Sequence, residues 1–195
     1  MEDSCMRCFV AIDVSEEVRF SIGGAIEQMR GLSKGVRWVP PDHVHLTLKF
    51  LGETDNAMLL QIQERLPLLC SRHAPFALTV RGSGGFPNLR RPNVLWVGID
   101  ESEPLSLLNR DIEQSMAELG FEREEKRFSP HLTIGRIKSM DGLEAVIREW
   151  ITFKDSVFGT ITVGETLLMK STLKPGGAEY SKIAGFKLGQ RKTEA

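Results

Sequence analysis

The chain reads as an α+β protein with two similar lobes, and three observations carry that reading. The tetrapeptide His45-Leu46-Thr47-Leu48 returns as His131-Leu132-Thr133-Ile134, 86 residues further on (45 to 131). The order strand, helix, histidine strand, helix, strand is legible twice. The Ile-Asp ends of the two opening strands, Ile12-Asp13 and Ile99-Asp100, lie 87 residues apart (12 to 99). Such near-equal offsets point to internal duplication. Strand–helix–strand units packed side by side would place the two histidine strands facing each other across a central cleft. One bilobal domain follows, with repeats over about 7–81 and 94–185.

Residues 7–14 are short, apolar and β-rich. Ser15 is a helix N-cap candidate, and Glu16 and Glu17 stand in the first turn, where the helix dipole favours carboxylates. That helix should reach about Arg30, with Gly31 and Gly35 punctuating the loop beyond it. Residues 37–39 are extended, and Pro40-Pro41 blocks any helix. The first histidine strand covers about 43–50 and ends at Gly52. Thr54 or Asp55 caps a helix over about 56–70, and 76–80 is a strand. Residues 81–93 are rich in turn formers and form a midpoint loop. Their glycines do not make a dinucleotide fingerprint, because Pro87 and Pro92 deny the helix that such a loop must open.

The second round begins with a strand over 94–99 and a helix over about 104–119, closed by Gly120. A charged stretch, 122–127, leads to the second histidine strand at 131–138. Asp141 caps a helix to about Trp150. Strands follow near 156–163 and 165–172. A turn at 174–177 precedes a short strand over 180–183, and the tail from Gly189 is polar and frayed.

The composition is that of an ordinary globular protein: 41% hydrophobic and 26% charged over 195 residues. A formal net charge of -1 supplies no global field to draw the protein onto long nucleic acid, although the end of an RNA strand needs only a local basic patch. Cys5-Met6-Arg7-Cys8 lacks the second ligand pair of a structural zinc site and is incidental. Three cysteines fit a reducing cytoplasm. The first fifteen residues show no secretory signal pattern, and no apolar stretch approaches the ~20 residues of a membrane helix.

In a strand, residues i and i+2 share a face, so His45 projects with Thr47 and His131 with Thr133. Three chemistries compete. A metal site from His43, His45 and His131 leaves the threonines idle. A threonine or serine nucleophile lacks any nucleophile elbow. Paired acid–base catalysis at a phosphate uses all four motif residues: one neutral imidazole takes a proton from water, a protonated one gives a proton to the leaving oxygen, and two hydroxyls hold the phosphate oxygens. This third chemistry is preferred.

The two tetrapeptides resemble the twin H-x-T-x signature of the 2H phosphoesterases. The runs 7–12, 38–53 and 128–136 are similar to the RNA 2′,3′-cyclic phosphodiesterases, once called 2′-5′ RNA ligases, and the resemblance covers about residues 7–185. It implies two pseudo-symmetric lobes of antiparallel sheet, with outer helices around a central cleft. It implies His45 as proton donor to the departing 3′ oxygen, His131 as proton acceptor activating water, and a 2′-phosphate product. Thr47, Thr133 and Arg136 would bind the phosphate, and Phe50 would stack on the terminal base. His43 is peripheral and His73 a solvated loop residue. Arg81, Arg90, Arg91 and Lys49 would add a local positive field. No metal or cofactor is implied. The partners are RNA 3′ ends bearing a cyclic phosphate, or small cyclic nucleotides, met by a cytoplasmic monomer. Two other readings stay open: ligation or another cyclic nucleotide substrate, and a non-catalytic module that binds RNA ends.

Overall fold

The computed structural model describes residues 5–174 and 177–189. The tail beyond Gly189 and the Pro175-Gly176 step of the expected turn lie outside the described residues. The chain runs β1 (Met6–Asp13), α1 (Glu16–Arg30), β2 (Val36–Trp38), β3 (His45–Thr54), α2 (Asn56–Cys70), β4 (Phe76–Phe86), β5 (Val94–Ile99), α3 (Glu103–Glu118), β6 (His131–Ile137), α4 (Leu143–Ile151), β7 (Val157–Val163), β8 (Glu165–Lys174) and β9 (Gly177–Lys187). Ser15, Asp55 and Ser102 cap the first three helices by accepting from the amides of Val18, Met58 and Leu105.

Several boundaries differ from those the sequence suggests. Pro41 opens a single 3-10 turn (Pro41–His43) instead of blocking every helix, because a first helical position needs no amide donor. β3 runs on through Gly52, which is left-handed at φ 71°. Asp141 is not the cap of α4. That place belongs to Gly142, at φ 67°, where the N-cap makes no side-chain bond. β9 is far longer than the 180–183 strand. The largest difference is β4, which continues to Phe86 through the supposed midpoint loop and shortens that loop to 87–93. Gly84 and Gly85 serve close approach rather than turning: a Cβ on Gly84 would overlap the Trp96 ring.

The nine strands found among the described residues form one curled antiparallel sheet, in the order β7-β4-β5-β6-β3-β1-β8-β9, with β2 paired to β6. The repeats do not each build a lobe. β4 crosses to join β5, β6 and β7, whereas β8 and β9 from the second half join β1 and β3. The helices cross too: α1 lies against β7 and α4, and α3 lies against β3 and α2. All four helices pack on one face, over a single core that includes Val10, Ile12, Leu46, Leu132, Ile22, Leu108 and Trp150. Among the described residues no helix packs on the other face, and the lobes meet on it where β3 touches β6.

Candidate active site

β3 and β6 share one register pair, Leu46 with Leu132. Both leucines are fully buried and face the helices. Alternation therefore turns His45, Thr47, His131 and Thr133 to the open face, and all four are half-buried there. The histidine strands were expected to face each other across a gap. They are instead neighbours in one sheet. Antiparallel register sets His45 beside Thr133 and Thr47 beside His131, with the two histidines on a diagonal. Diagonal positions lie roughly 7–8 Å apart, a separation that leaves room for one phosphate between the rings.

The two imidazoles are held in the same way. His45 Nδ1 lies 2.8 Å from the His43 carbonyl oxygen, and His131 Nδ1 lies 2.7 Å from that of Ser129. A carbonyl only accepts, so each Nδ1 carries the hydrogen and each Nε2 is left to exchange protons. Phe9 stacks on His45 at 4.8 Å, and Tyr180 meets its edge at 4.9 Å. Phe86 meets His131 edge-on at 4.8 Å. Burial lowers the pKa of both rings below the ordinary value, and the Arg136 guanidinium lowers both further, while each carbonyl bond opposes this. His45 alone has a carboxylate, Asp13, that raises its pKa. Asp13 is the cross-strand partner of His45, and the matching partner of His131 is Gly98.

One β-bulge, present in both copies, decides what else reaches this face. Between Val10 and Ala11 of β1 the pairing on β3 steps from Lys49 to Thr47, so Leu48 is the extra residue. Between Leu95 and Trp96 of β5 the pairing on β6 steps from Gly135 to Thr133, so Ile134 is the extra residue. A bulge flips every later side chain to the other face. Phe50 and Arg136 occupy equivalent positions and both project from the open face. Phe50 is 72% exposed, and Arg136 is exposed with no ion-pair partner among the described residues. Lys49 is flipped inward and does not contribute to a surface field. It is 5% exposed, and its Nζ lies 2.7 Å from Glu113 Oε2 and 2.8 Å from the Glu122 carbonyl.

A sequence profile of the 2′-5′ RNA ligase superfamily matches residues 18–173. The chain belongs to the 2′-5′ RNA ligase superfamily. Within it, the chain is 35% identical to the RNA 2′,3′-cyclic phosphodiesterase of Archaeoglobus fulgidus over 182 residues, 93% of this chain and 99% of that one. It is 35% identical to the enzyme of the same name from Thermotoga maritima over 178 residues, 91% and 93% of the two chains. Among solved structures, TT0787 of Thermus thermophilus superposes with a TM-score of 0.82 at 30% identity, covering 95% of this chain and 100% of that one. E. coli LigT complexed with 3′-AMP superposes with a TM-score of 0.74 at 26% identity, covering 96% and 100%.

Other features of this superfamily member depart from the sequence reading. Register makes Val97, not Ile99, the equivalent of Ile12, since Ile12 pairs with Leu46 and Val97 with Leu132. The matching Ile-Asp ends were therefore coincidental. His73 is not solvated: its side chain is 13% exposed and its Nε2 lies 3.1 Å from Asp111. Arg81 is ion-paired with Asp100. His43 contributes its backbone carbonyl to His45 and packs its ring against Tyr180. Among the described residues, no three His, Cys, Asp or Glu side chains gather as metal ligands. Sequence reasoning missed Phe9, Tyr180, Phe86, Trp96 and Asp13. For Phe9 and Asp13 a usable signal existed, since i and i+4 in a strand that opens each repeat share a face.

Proposed function

We propose that this chain opens 2′,3′-cyclic phosphates at RNA ends, with His45 and His131 as the acid and the base. The observation that carries the reading is the open-face quartet of two imidazoles and two hydroxyls, with each Nδ1 bound and, among the described residues, no hydrogen-bond partner on either Nε2. His131 Nε2 takes a proton from water, and the water oxygen attacks phosphorus. The bond from phosphorus to the 3′ oxygen breaks, and that oxygen takes the proton of His45. The product ends in a 2′-phosphate. Thr47 and Thr133 donate to the non-bridging oxygens. The Arg136 guanidinium offsets the charge that develops on them. Phe50 offers a face for the terminal base.

The duplication alone would make the two histidines interchangeable. Asp13 breaks the tie, because a carboxylate favours the imidazolium form of His45 and so suits it to give a proton. Gly98 leaves His131 without such a partner, which suits it to take one. Both rings act as proton carriers, so the chemistry calls for no metal or cofactor. The relatives from A. fulgidus and T. maritima carry this activity in their names. The small, odd cysteine complement supports a cytoplasmic setting, and no helix among the described residues is long and apolar enough to cross a membrane. We take the working form to be a monomer acting on ends such as those of cleaved tRNA.

The test is a synthetic RNA with a cyclic-phosphate end. The reading expects a 2′-phosphate product, an unchanged rate in excess chelator, and a loss of at least ~100-fold in turnover for His45→Ala and for His131→Ala. A 3′-phosphate product, or either variant near the wild-type rate, would overturn it. Joined strands would favour 2′-5′ ligation, in which a 5′-hydroxyl takes the place of water as the nucleophile and which the superfamily's name records.

A further inference from the structure

The chain carries almost no net charge, and many of its arginines are neutralised locally. Seven (Arg7, Arg19, Arg30, Arg65, Arg81, Arg110 and Arg148) sit in ion pairs. Seven others, Arg37, Arg72, Arg90, Arg91, Arg123, Arg127 and Arg136, have no carboxylate partner among the described residues and are exposed. Arg72 follows α2, and Arg123 and Arg127 lie between α3 and β6, whereas Arg37, Arg90, Arg91 and Arg136 belong to one end of the open face. Arg37 on β2 is the direct register partner of Arg136 on β6, and Arg136 is in turn paired with Val94 at the start of β5. Direct partners share a face, with Cβ atoms roughly 4.5–5.5 Å apart. Two like charges so placed repel each other, and no carboxylate separates them. The 87–93 loop, which carries Arg90 and Arg91, is anchored at the same end: the Asn93 amide donates to Phe86 O at 2.6 Å and the Ile137 amide to Asn93 O at 2.9 Å. Its tip is fixed by Asn88 Oδ1, which accepts from the amides of Arg90 at 2.9 Å and Arg91 at 3.2 Å.

The row leads out of the active site. Arg136 stands three residues beyond Thr133, about 10 Å at ~3.3 Å per residue, and Arg37 lies one strand further out. The opposite wall, with Phe50 and Tyr180 backed by the buried Phe9, is aromatic. A single-stranded nucleic acid fits such a pair of walls, its bases on the aromatic side and its phosphates on the basic side. We propose that Arg37, with Arg90 and Arg91, extends the Arg136 site into a track for the phosphodiesters upstream of the cyclic end. The track selects RNA strands over mononucleotide 2′,3′-cyclic phosphates. This inference rests on the phosphodiesterase reading above.

The experiment compares kcat/KM for a trinucleotide ending in a 2′,3′-cyclic phosphate with that for cyclic 2′,3′-AMP. It uses the wild type, Arg37→Ala and Arg90→Ala/Arg91→Ala, with thermal midpoints as a folding control. The expected result is a trinucleotide preference in the wild type that falls by about tenfold in Arg37→Ala, the loss of about one charge-assisted contact. The salt dependence of binding to a trinucleotide with a 2′-phosphate end should also weaken, its log–log slope falling by ~0.7 for each arginine removed. A preference ratio and slope equal to wild type would overturn the track, as would equal losses on both substrates. If the wild type opens neither substrate, the phosphodiesterase reading itself fails, and the two failures are thereby distinguished.

Discussion

Lys49 allows a sharp quantitative test, because a lysine directly after an active-site motif invites a substrate-binding role that its position denies. Its side chain is 3% exposed and its partner Glu113 is 18% exposed. The same Glu113 oxygen accepts from the Glu124 amide at 3.3 Å, and Lys49 also holds the Glu122 carbonyl. One ammonium thus ties β3, α3 and the segment that delivers Ser129 to His131. Lys49→Met keeps most of the stem volume and removes the charge, leaving the Glu113 carboxylate without its cation. Breaking a buried pair costs about 3–5 kcal/mol. The residual exposure of Glu113 lets water recover part of this, so we expect the low end, about 3 kcal/mol. For a chain of this size that is a midpoint lower by about 6–12 °C. Lys49→Met/Glu113→Gln should recover much of the loss, because no unpaired charge then stays inside. Thermal and denaturant unfolding measure both variants. A Lys49→Met cost under ~1 kcal/mol would mean that the pair behaves like a surface one, and the inward flip assigned to the bulge would be wrong.

Three further outcomes follow from the same geometry. Burial places both imidazoles below the ordinary value of 6.5, and the proposed mechanism needs His131 neutral and His45 charged. Both limbs of the kcat/KM profile therefore move down, and the bell should peak on the acid side of 6.5; a maximum well above neutrality would contradict the burial argument. In Arg136→Ala, ring-proton titration by NMR should show both pKa values raised, since one guanidinium depresses both, and movement of only one ring would place Arg136 away from the shared centre. Gly84→Ala should cost about 1–3 kcal/mol by forcing the Trp96 ring off β4, and unchanged stability would show that the ring has room to move.

Most of the elements and the central quartet were legible in the sequence, because apolar periodicity, helix caps and a repeated tetrapeptide are local signals. What was hidden depends on strand partners. The flip of Lys49 and the outward turn of Phe50 follow from a bulge against β1, and nothing in the run His45–Phe50 marks its place. The exchange of β4 and β8 between lobes was hidden for the same reason, since either strand fits either edge as far as its own residues show. Gly84 and Gly85 misled because glycine serves turns and close packing alike, and only the Trp96 ring, reached across the β4–β5 pair, tells which applies.

The duplicated frame poses a problem that single residues resolve. A site with true two-fold symmetry would offer two equal histidines, yet opening a cyclic phosphate needs one acid and one base at the same moment. The flanking strands differ where it matters: Asp13 stands beside His45 and Gly98 beside His131. A side chain cannot readily be restored at Gly98, because a Cβ there would lie 2.7 Å from the Arg81 carbonyl oxygen. The carboxylate is thus confined to one side. Asp13→Asn keeps the shape and an oxygen for the Val14 amide, which Asp13 Oδ1 now accepts at 3.0 Å, but removes the charge. Since that charge raises the His45 pKa, its loss should lower it. The alkaline limb of kcat/KM, which under the proposed mechanism marks loss of the His45 proton, should then move to lower pH while the acid limb that this mechanism assigns to His131 stays in place. NMR titration of the two rings should show the same asymmetry. Movement of the acid limb instead would exchange the roles of the two histidines, and movement of both would show that Asp13 acts on the site as a whole rather than on one ring.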